Sequence, residues 1–118
     1  IVRTSWWQVA TDALLDLSST GPGGVGHGCE LETSLLLAID AALVDTAAIP
    51  TRENANVFTW DTADMLRAAP ATMYRRFAEV SSTGVFGEPG AASAEKGRAI
   101  SDAVTSRLVE LVRSLRQR

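Results

Sequence analysis

The chain's only histidine lies in the segment GVGHGCELETSLLLAI, residues 25–40, with its only cysteine and two glutamates. An imidazole can donate a proton, accept one or ligate a metal near neutral pH, so His27 is the first candidate for chemistry. The alternative is a loop histidine that only hydrogen-bonds to backbone. The glycines before it and the carboxylates after it favour a functional role.

Glu30 and Glu32 follow His27 by three and five residues. A carboxylate that binds one imidazole nitrogen fixes the tautomer and raises the basicity of the ring. Because His27 precedes the predicted helix, it can fold back over the helix N-terminus and meet either carboxylate. We interpret Glu30 as a residue that only occupies the first helical turn. For Glu32 the residues alone leave a catalytic and a purely helical role equally open.

The remaining candidates do not complete a catalytic set. Cys29 is expected to be a small packing residue, because the adjacent glutamates oppose ionisation of its thiol. One histidine and one cysteine do not fill a zinc shell. Trp6 and Trp7 either line the mouth of a pocket or pack as half-buried residues. The residues alone therefore predict a protein that is not an enzyme, or one whose site is completed by another polypeptide.

Composition limits the protein class. A chain of 118 residues that is 46% hydrophobic and 21% charged is typical of one soluble globular domain. Its net charge of −3 does not favour nucleic-acid or anionic-membrane partners. A single cysteine favours a reducing compartment. The sequence shows no apolar run of the ~20 residues that span a bilayer and no signal peptide, so we expect a cytoplasmic protein.

Local patterns predict the elements that position these residues. The segment IVRTSWWQV, residues 1–9, is rich in β-branched and aromatic residues and predicts a strand on which Trp6 and Trp7 point to opposite faces. TDALLDLSS predicts a short helix, and the glycines of STGPGGVGHG predict a flexible loop. An edge strand is expected near residues 56–59.

Two longer helices follow from apolar periodicity. CELETSLLLAIDAALV predicts a helix with acidic residues in its first turn and a buried middle. The last segment predicts a helix of about six turns that begins after Ser93 as the N-cap. It carries one apolar stripe that we expect to pack in the core, formed by Ile100, Val104, Leu108, Leu111 and Leu115.

Two separated segments resemble the creatininase family. HGCELETSLLLAIDAALVDTA is similar to the family signature H-A-G-x-x-E-T-S-L-M-L-A-L-x-P-D-L-V. SSTGVFGEPGAASAEKG is similar to the family's T-G-V-x-G-D-P-x-x-A-T-x-E-K-G, which also precedes a long terminal helix. SWW resembles the family's aromatic strand end. The resemblance extends from about Thr4 to Arg113, and the two motifs occur in the family's order.

The resemblance implies a three-layer α/β/α fold, of which residues 1–118 are the C-terminal part of one domain. It implies that the N-terminal half of the domain supplies the ligands of a two-metal site holding zinc, manganese or iron, so this chain is expected to ligate no metal itself. It also implies that His27 contacts the substrate and transfers a proton, with Glu32 as its supporting carboxylate. Trp6 or Trp7 would correspond to an aromatic residue that covers the substrate.

The implied reaction is hydrolysis of a cyclic amide, a formamide or a peptide C-terminus by a metal-activated water, with His27 delivering a proton to the leaving nitrogen. The implied partners are the N-terminal half, an amide substrate and further copies in a homo-oligomer such as a hexamer. The alternative is a non-catalytic scaffold or oligomerisation subunit derived from the same family.

Overall fold

A computed structural model of the chain describes residues 1–53 and 58–117. Over these ranges the chain forms five α-helices, and none of them is both long and apolar enough to cross a lipid bilayer. The α-helices are α1 (Trp6–Val9), α2 (Thr11–Leu17), α3 (Glu30–Ile39), α4 (Phe77–Val80) and α5 (Ala94–Arg116). Single 3₁₀ turns occur at Ala41–Leu43, Thr46–Ala48 and Pro89–Ala91.

The N-terminal segment contains a helix, so the predicted strand is wrong. α1 begins after Ser5, whose carbonyl accepts the Gln8 amide at 3.0 Å and whose amide donates to the Gln8 side chain at 3.1 Å. Trp6 and Trp7 pack edge to face, with ring centroids 5.8 Å apart, and both lie against the core. The two rings therefore do not point to opposite faces of a strand. Burial of large aromatic rings outweighs a local preference for extended backbone.

The centre of the core is the crossing of α3 over the first turns of α5. Leu31 from α3, Ile100 from α5 and Leu14 from α2 are fully buried there. A Cβ at Gly97 would lie 1.9 Å from the carbonyl oxygen of Ser34, so only glycine permits this approach of the two helices. The same buried cluster contains Ala10, Val25, Cys29 and Leu66.

The predicted terminal helix is confirmed, but only its first half is packed. Ser93 caps it as expected, because its hydroxyl accepts the Lys96 amide at 3.1 Å. Leu108 and Leu115 are 37% and 46% exposed, so core packing of the whole stripe is wrong for the second half. The radius of gyration of 15.3 Å exceeds the roughly 13–14 Å of a compact chain of this length, as expected when a helix extends beyond the core.

The helix predicted after the glycine loop is confirmed as α3 over Glu30–Ile39, but its predicted continuation to residue 44 is wrong, because a 3₁₀ turn follows at Ala41–Leu43. The middle of α3 is not fully buried. Leu35 and Leu37 are half-buried, and Leu36 is 44% exposed. Ile39, at the end of α3, is 74% exposed. The expectation of a buried middle is therefore wrong, since the described residues leave part of this apolar surface uncovered.

Within the described residues, β-type pairing of the backbone is limited to two isolated antiparallel bridges, and no strand is formed. One bridge joins His27 to Phe86, and the other joins Glu53 to Gly87. The two bridges place three extended segments side by side. The three-layer α/β/α fold is therefore not confirmed by this structure. Residues 56 and 57 of the predicted edge strand lie outside the described residues, and residues 58 and 59 form no strand.

Candidate functional site

The glycine loop between α2 and α3 is confirmed as a loop, and close packing holds it. A Cβ at Gly26 would lie 2.3 Å from the carbonyl oxygen of Phe86. The Gly23 amide donates to the carboxylate of Asp64 at 2.8 Å. At Gly26 glycine permits close contact with the neighbouring segment, whereas Gly23 has a φ of +79°, in the left-handed region that favours glycine. His27 follows directly from this packed stretch.

The backbone of His27 is fixed while its side chain is exposed. Its amide and carbonyl are both hydrogen-bonded to Phe86, each at 2.7 Å. The imidazole stands edge to face against Phe77, with ring centroids 5.4 Å apart. An anchored backbone with an accessible ring allows a histidine to meet an external ligand and to transfer a proton. Phe77 was missed by sequence reasoning, because nothing in its own segment indicates this long-range contact.

Glu32 lies next to residues 26–28, which we call the histidine loop, and its side chain binds the backbone of this loop. Its carboxylate accepts the Gly28 amide at 2.5 Å, and the Thr33 hydroxyl donates to the Gly28 carbonyl at 3.2 Å. Gly28 has a φ of +60°, in the left-handed region where glycine is favoured. Among the described residues the Glu32 carboxylate makes no hydrogen bond to the imidazole of His27. Glu32 therefore holds the backbone of the residue that follows His27.

Replacement of Glu32 with alanine is expected to loosen this loop. A part-buried amide left without its acceptor costs about 1–3 kcal/mol, and every 1.4 kcal/mol corresponds to a factor of ten in an equilibrium. Amide hydrogen exchange at Gly28 should therefore accelerate about tenfold or more. Asp102→Ala, at an exposed position on α5, is the control and should leave this exchange rate unchanged. An unchanged rate in Glu32→Ala would show that Glu32 does not hold the loop.

The structure places the two tryptophans in the helical core. Trp6 lines a cavity of about 220 Å³ with Leu35, Ile100 and Val104, between α1, α3 and α5. The ring of His27, in contrast, lies against Phe77. A substrate contact by Trp6 or Trp7 stays a prediction.

Cys29 is fully buried in the core cluster, which confirms the packing interpretation. Burial raises the pKa of its thiol, and the charge on Glu32 acts in the same direction. The residue is therefore held as a neutral thiol that packs behind the histidine loop.

A buried ion pair behind the loop was missed, and the interpretation of Glu30 as a residue that only occupies the first turn is wrong. Glu30 is fully buried, and the Lys96 ammonium donates to its carboxylate. The Ser18 hydroxyl, the Ser19 amide and the Thr20 hydroxyl also donate to it, at 2.9, 2.8 and 2.9 Å. One carboxylate thus joins the end of α2, the start of α3 and the first turn of α5.

The electrostatics of Glu30 follow from these contacts. Burial raises its pKa, but hydrogen bonds from Lys96, Ser19 and Thr20 outweigh burial and lower the pKa from 4.5 to about 2. The Glu30 carboxylate is therefore charged at neutral pH. The one feature of the sequence that points to this ion pair is that Lys96 is the only lysine among the eleven lysine and arginine residues. Its partner lies 66 residues away in the sequence, so no local pattern identifies it.

The described residues do not bring together a metal centre. Over residues 1–53 and 58–117, no group of three histidine, cysteine, aspartate or glutamate side chains is placed to hold a metal ion. His27, Cys29 and Glu32 are near one another in sequence, but the structure separates their side chains. That of His27 is exposed, that of Cys29 is buried and that of Glu32 binds the Gly28 amide. The described residues by themselves therefore do not fit a catalytic metal site.

Comparison with known proteins identifies the family. The family model described as "Creatininase: Creatinine amidohydrolase" matches residues 1–112. No curated protein and no solved structure gives a significant match. The matched range includes His27, Glu32 and the segment that ends at Lys96. Creatininase-family proteins are amidohydrolases and are generally metal-dependent. The chain belongs to the creatininase family.

Proposed function

We propose that this chain is the C-terminal part of a metal-dependent amidohydrolase, completed by an N-terminal half that lies outside it. The observation that carries the proposal is an exposed histidine on an anchored loop, inside a family match that extends over residues 1–112. The substrate is a cyclic amide, a formamide or the C-terminal part of a peptide. A cytoplasmic location belongs to the same proposal and is supported by the single cysteine.

His27 is the proton-transfer group in this proposal. Hydrolysis adds water to the amide carbon and breaks the C–N bond, and the leaving nitrogen must take up a proton. An accessible imidazole beside the substrate can deliver that proton, which contributes typically 10²–10⁴-fold in rate. Glu32 is a positioning residue, since its carboxylate binds the amide of the residue that follows His27.

The metal ligands are proposed to lie outside this chain. The family is generally metal-dependent, yet the part of the chain that the structure describes offers no group of three suitable side chains. We therefore assign the ligands of zinc, manganese or iron to the N-terminal half.

Uncovered apolar surface supports a macromolecular partner. Leu36 and Ile39 on α3 are exposed, as are Leu108, Val112 and Leu115 on α5. Exposed apolar residues in such number commonly mark an interface. We propose that the N-terminal half and further copies of the protein cover these surfaces, in a homo-oligomer such as a hexamer. The segments joined by the two bridges would then belong to the sheet of a three-layer α/β/α fold.

A non-catalytic scaffold or oligomerisation subunit is the second candidate. Two observations favour it: the lack of a three-ligand group among the described residues, and the uncovered second half of α5. In that case the chain keeps the histidine loop of its family, but His27 takes part in no reaction. The two candidates differ in whether turnover depends on His27.

Recombination of the two halves tests the amidohydrolase proposal. The chain alone is expected to bind no catalytic metal and to hydrolyse no amide, whereas addition of the N-terminal half should restore both. Metal analysis and ammonia or amine release from a panel of cyclic amides, formamides and peptides provide the measurements. Tight zinc binding by this chain alone would contradict the assignment of the ligands. Absence of turnover in a stable, metal-loaded complex would favour the scaffold.

A further inference from the structure

A pocket lies beside His27, and two of the residues that line it, Phe77 and Phe86, also contact His27. It has a volume of about 250 Å³, and its apolar lining includes Phe77, Phe86 and Met73. Phe77 packs against the His27 ring, and Phe86 pairs with the His27 backbone. The pocket and the imidazole therefore share a wall.

The apolar walls are open to solvent where they face the pocket. Phe77 is 48% exposed and Met73 is 47% exposed, although both side chains are large and apolar. A ligand group that covered them would gain the free energy of removing apolar surface from water. Aromatic rings also prefer edge-to-face or offset contacts with a second ring, as Phe77 already makes with His27.

The buried carboxylate in the pocket is already satisfied by protein backbone. Asp61 is 2% exposed, and its two oxygens accept the amides of Ala63 and Met73 at 3.2 and 3.1 Å. Asp61 thus holds the Met73 segment in place as a wall of the pocket. Besides Asp61, the pocket lining contains five apolar residues and two that are polar or charged: Ala63, Met73, Phe77, Val80, Phe86, Thr72 and Arg75.

We propose that this pocket binds an apolar, preferably aromatic, group of the amide substrate and so places the adjacent C–N bond at His27. The volume of about 250 Å³ suits a group the size of one side chain. The inference rests on the proposed amidohydrolase function and narrows its substrate class to amides with a bulky apolar substituent. Phe77 and Met73 are then specificity-determining residues.

Titration with phenylacetamide, with acetamide as the matched amide that lacks the ring, tests the pocket. His27 is the only histidine, so labelling this chain with ¹³C-histidine gives a single imidazole signal even within the assembled protein. Phenylacetamide is expected to shift that signal saturably, whereas acetamide at the same concentration should not. Phe77→Ala and Met73→Ala should each weaken phenylacetamide binding at least tenfold. Tyr74→Ala, at a position that is 91% exposed and does not line the pocket, should have no effect.

Two outcomes would overturn the assignment. The first is the absence of a saturable shift with the unmodified protein. The second is a shift that survives both wall substitutions, with an amide spectrum showing that each variant is folded. If phenylacetamide fails to bind while the recombined halves hydrolyse other amides, only the pocket assignment fails. If phenylacetamide binds as expected but the recombined halves hydrolyse no amide, the pocket stands as a ligand site and the proposed function fails.

Discussion

Replacement of His27 with alanine in the recombined enzyme is expected to lower turnover by about 10²–10⁴-fold, the contribution typical of general acid–base catalysis. The imidazole of His27 is exposed, and the amide and carbonyl of His27 are both hydrogen-bonded to the backbone of Phe86. Loss of the ring should therefore leave the loop in place and remove only the proton donor. The measurement is the rate constant for amide hydrolysis, in the presence of saturating metal.

Rescue by imidazole separates proton transfer from a structural role. An exposed ring that contacts one phenylalanine leaves an accessible space when it is removed, so added imidazole should restore part of the turnover of His27→Ala. Imidazole should not accelerate the unmodified enzyme. His27→Gln is the second variant, because it retains hydrogen bonding but cannot act as an acid near neutral pH, and it should be as slow as His27→Ala. Unchanged turnover in both variants would exclude the proposed role and leave the scaffold.

The helices that could be predicted are those whose signals are local. α5 carries an N-cap and apolar residues at helical spacing, and α3 carries acidic residues in its first turn. Both were therefore evident from the sequence. α1 was not, because Trp6 and Trp7 favour extended backbone locally and only their burial against the core makes a helix preferable.

The candidate site was predictable only in part, for a similar reason. His27 is conspicuous as the single histidine before a helix, and Glu32 is conspicuous beside it. The actual contact of Glu32 is with the backbone of Gly28, which depends on the left-handed conformation of that glycine. The contact of His27 with Phe77 joins residues 50 positions apart, so it depends on tertiary packing that no spacing rule contains.

Replacement of Lys96 with methionine is expected to destabilise the protein by about 3–5 kcal/mol, the cost of leaving one partner of a buried ion pair without the other. Glu30 has no exposed side-chain surface, and the side chain of Lys96 is 15% exposed. Without the ammonium, the carboxylate keeps its serine and threonine donors but loses its only counter-charge among the described contacts. The measurement is the free energy of unfolding from denaturant titration of the isolated protein.

The pH dependence of stability gives an independent measure of the same group. The pKa of Glu30 is lowered from 4.5 to about 2 in the folded state, so its stabilising contribution is fully present above about pH 4.5. The contribution is lost as the pH falls from 4.5 towards 2, since the unfolded state then binds a proton that the folded state does not. The difference between the ordinary pKa of 4.5 and the folded-state pKa of about 2 corresponds to about 3 kcal/mol of stability at neutral pH. Glu30→Gln should make the stability profile less steep over this interval by the contribution of this one carboxyl.

An exposed ion pair on the same helix provides the matched control. Arg98 and Glu95 are 3.1 Å apart, with side chains 60% and 79% exposed, so Arg98→Ala should change stability by less than about 1 kcal/mol. Replacement of both buried partners, Glu30→Gln with Lys96→Met, should recover part of the stability lost by Lys96→Met alone, because no unpaired charge stays buried and the amide oxygen can still accept from the serine and threonine donors. If Lys96→Met costs no more than Arg98→Ala, the buried pair does not stabilise the junction of α2, α3 and α5. If the double variant is folded but the Gly28 amide exchanges faster, the pair contributes to the geometry of the loop beyond its effect on global stability.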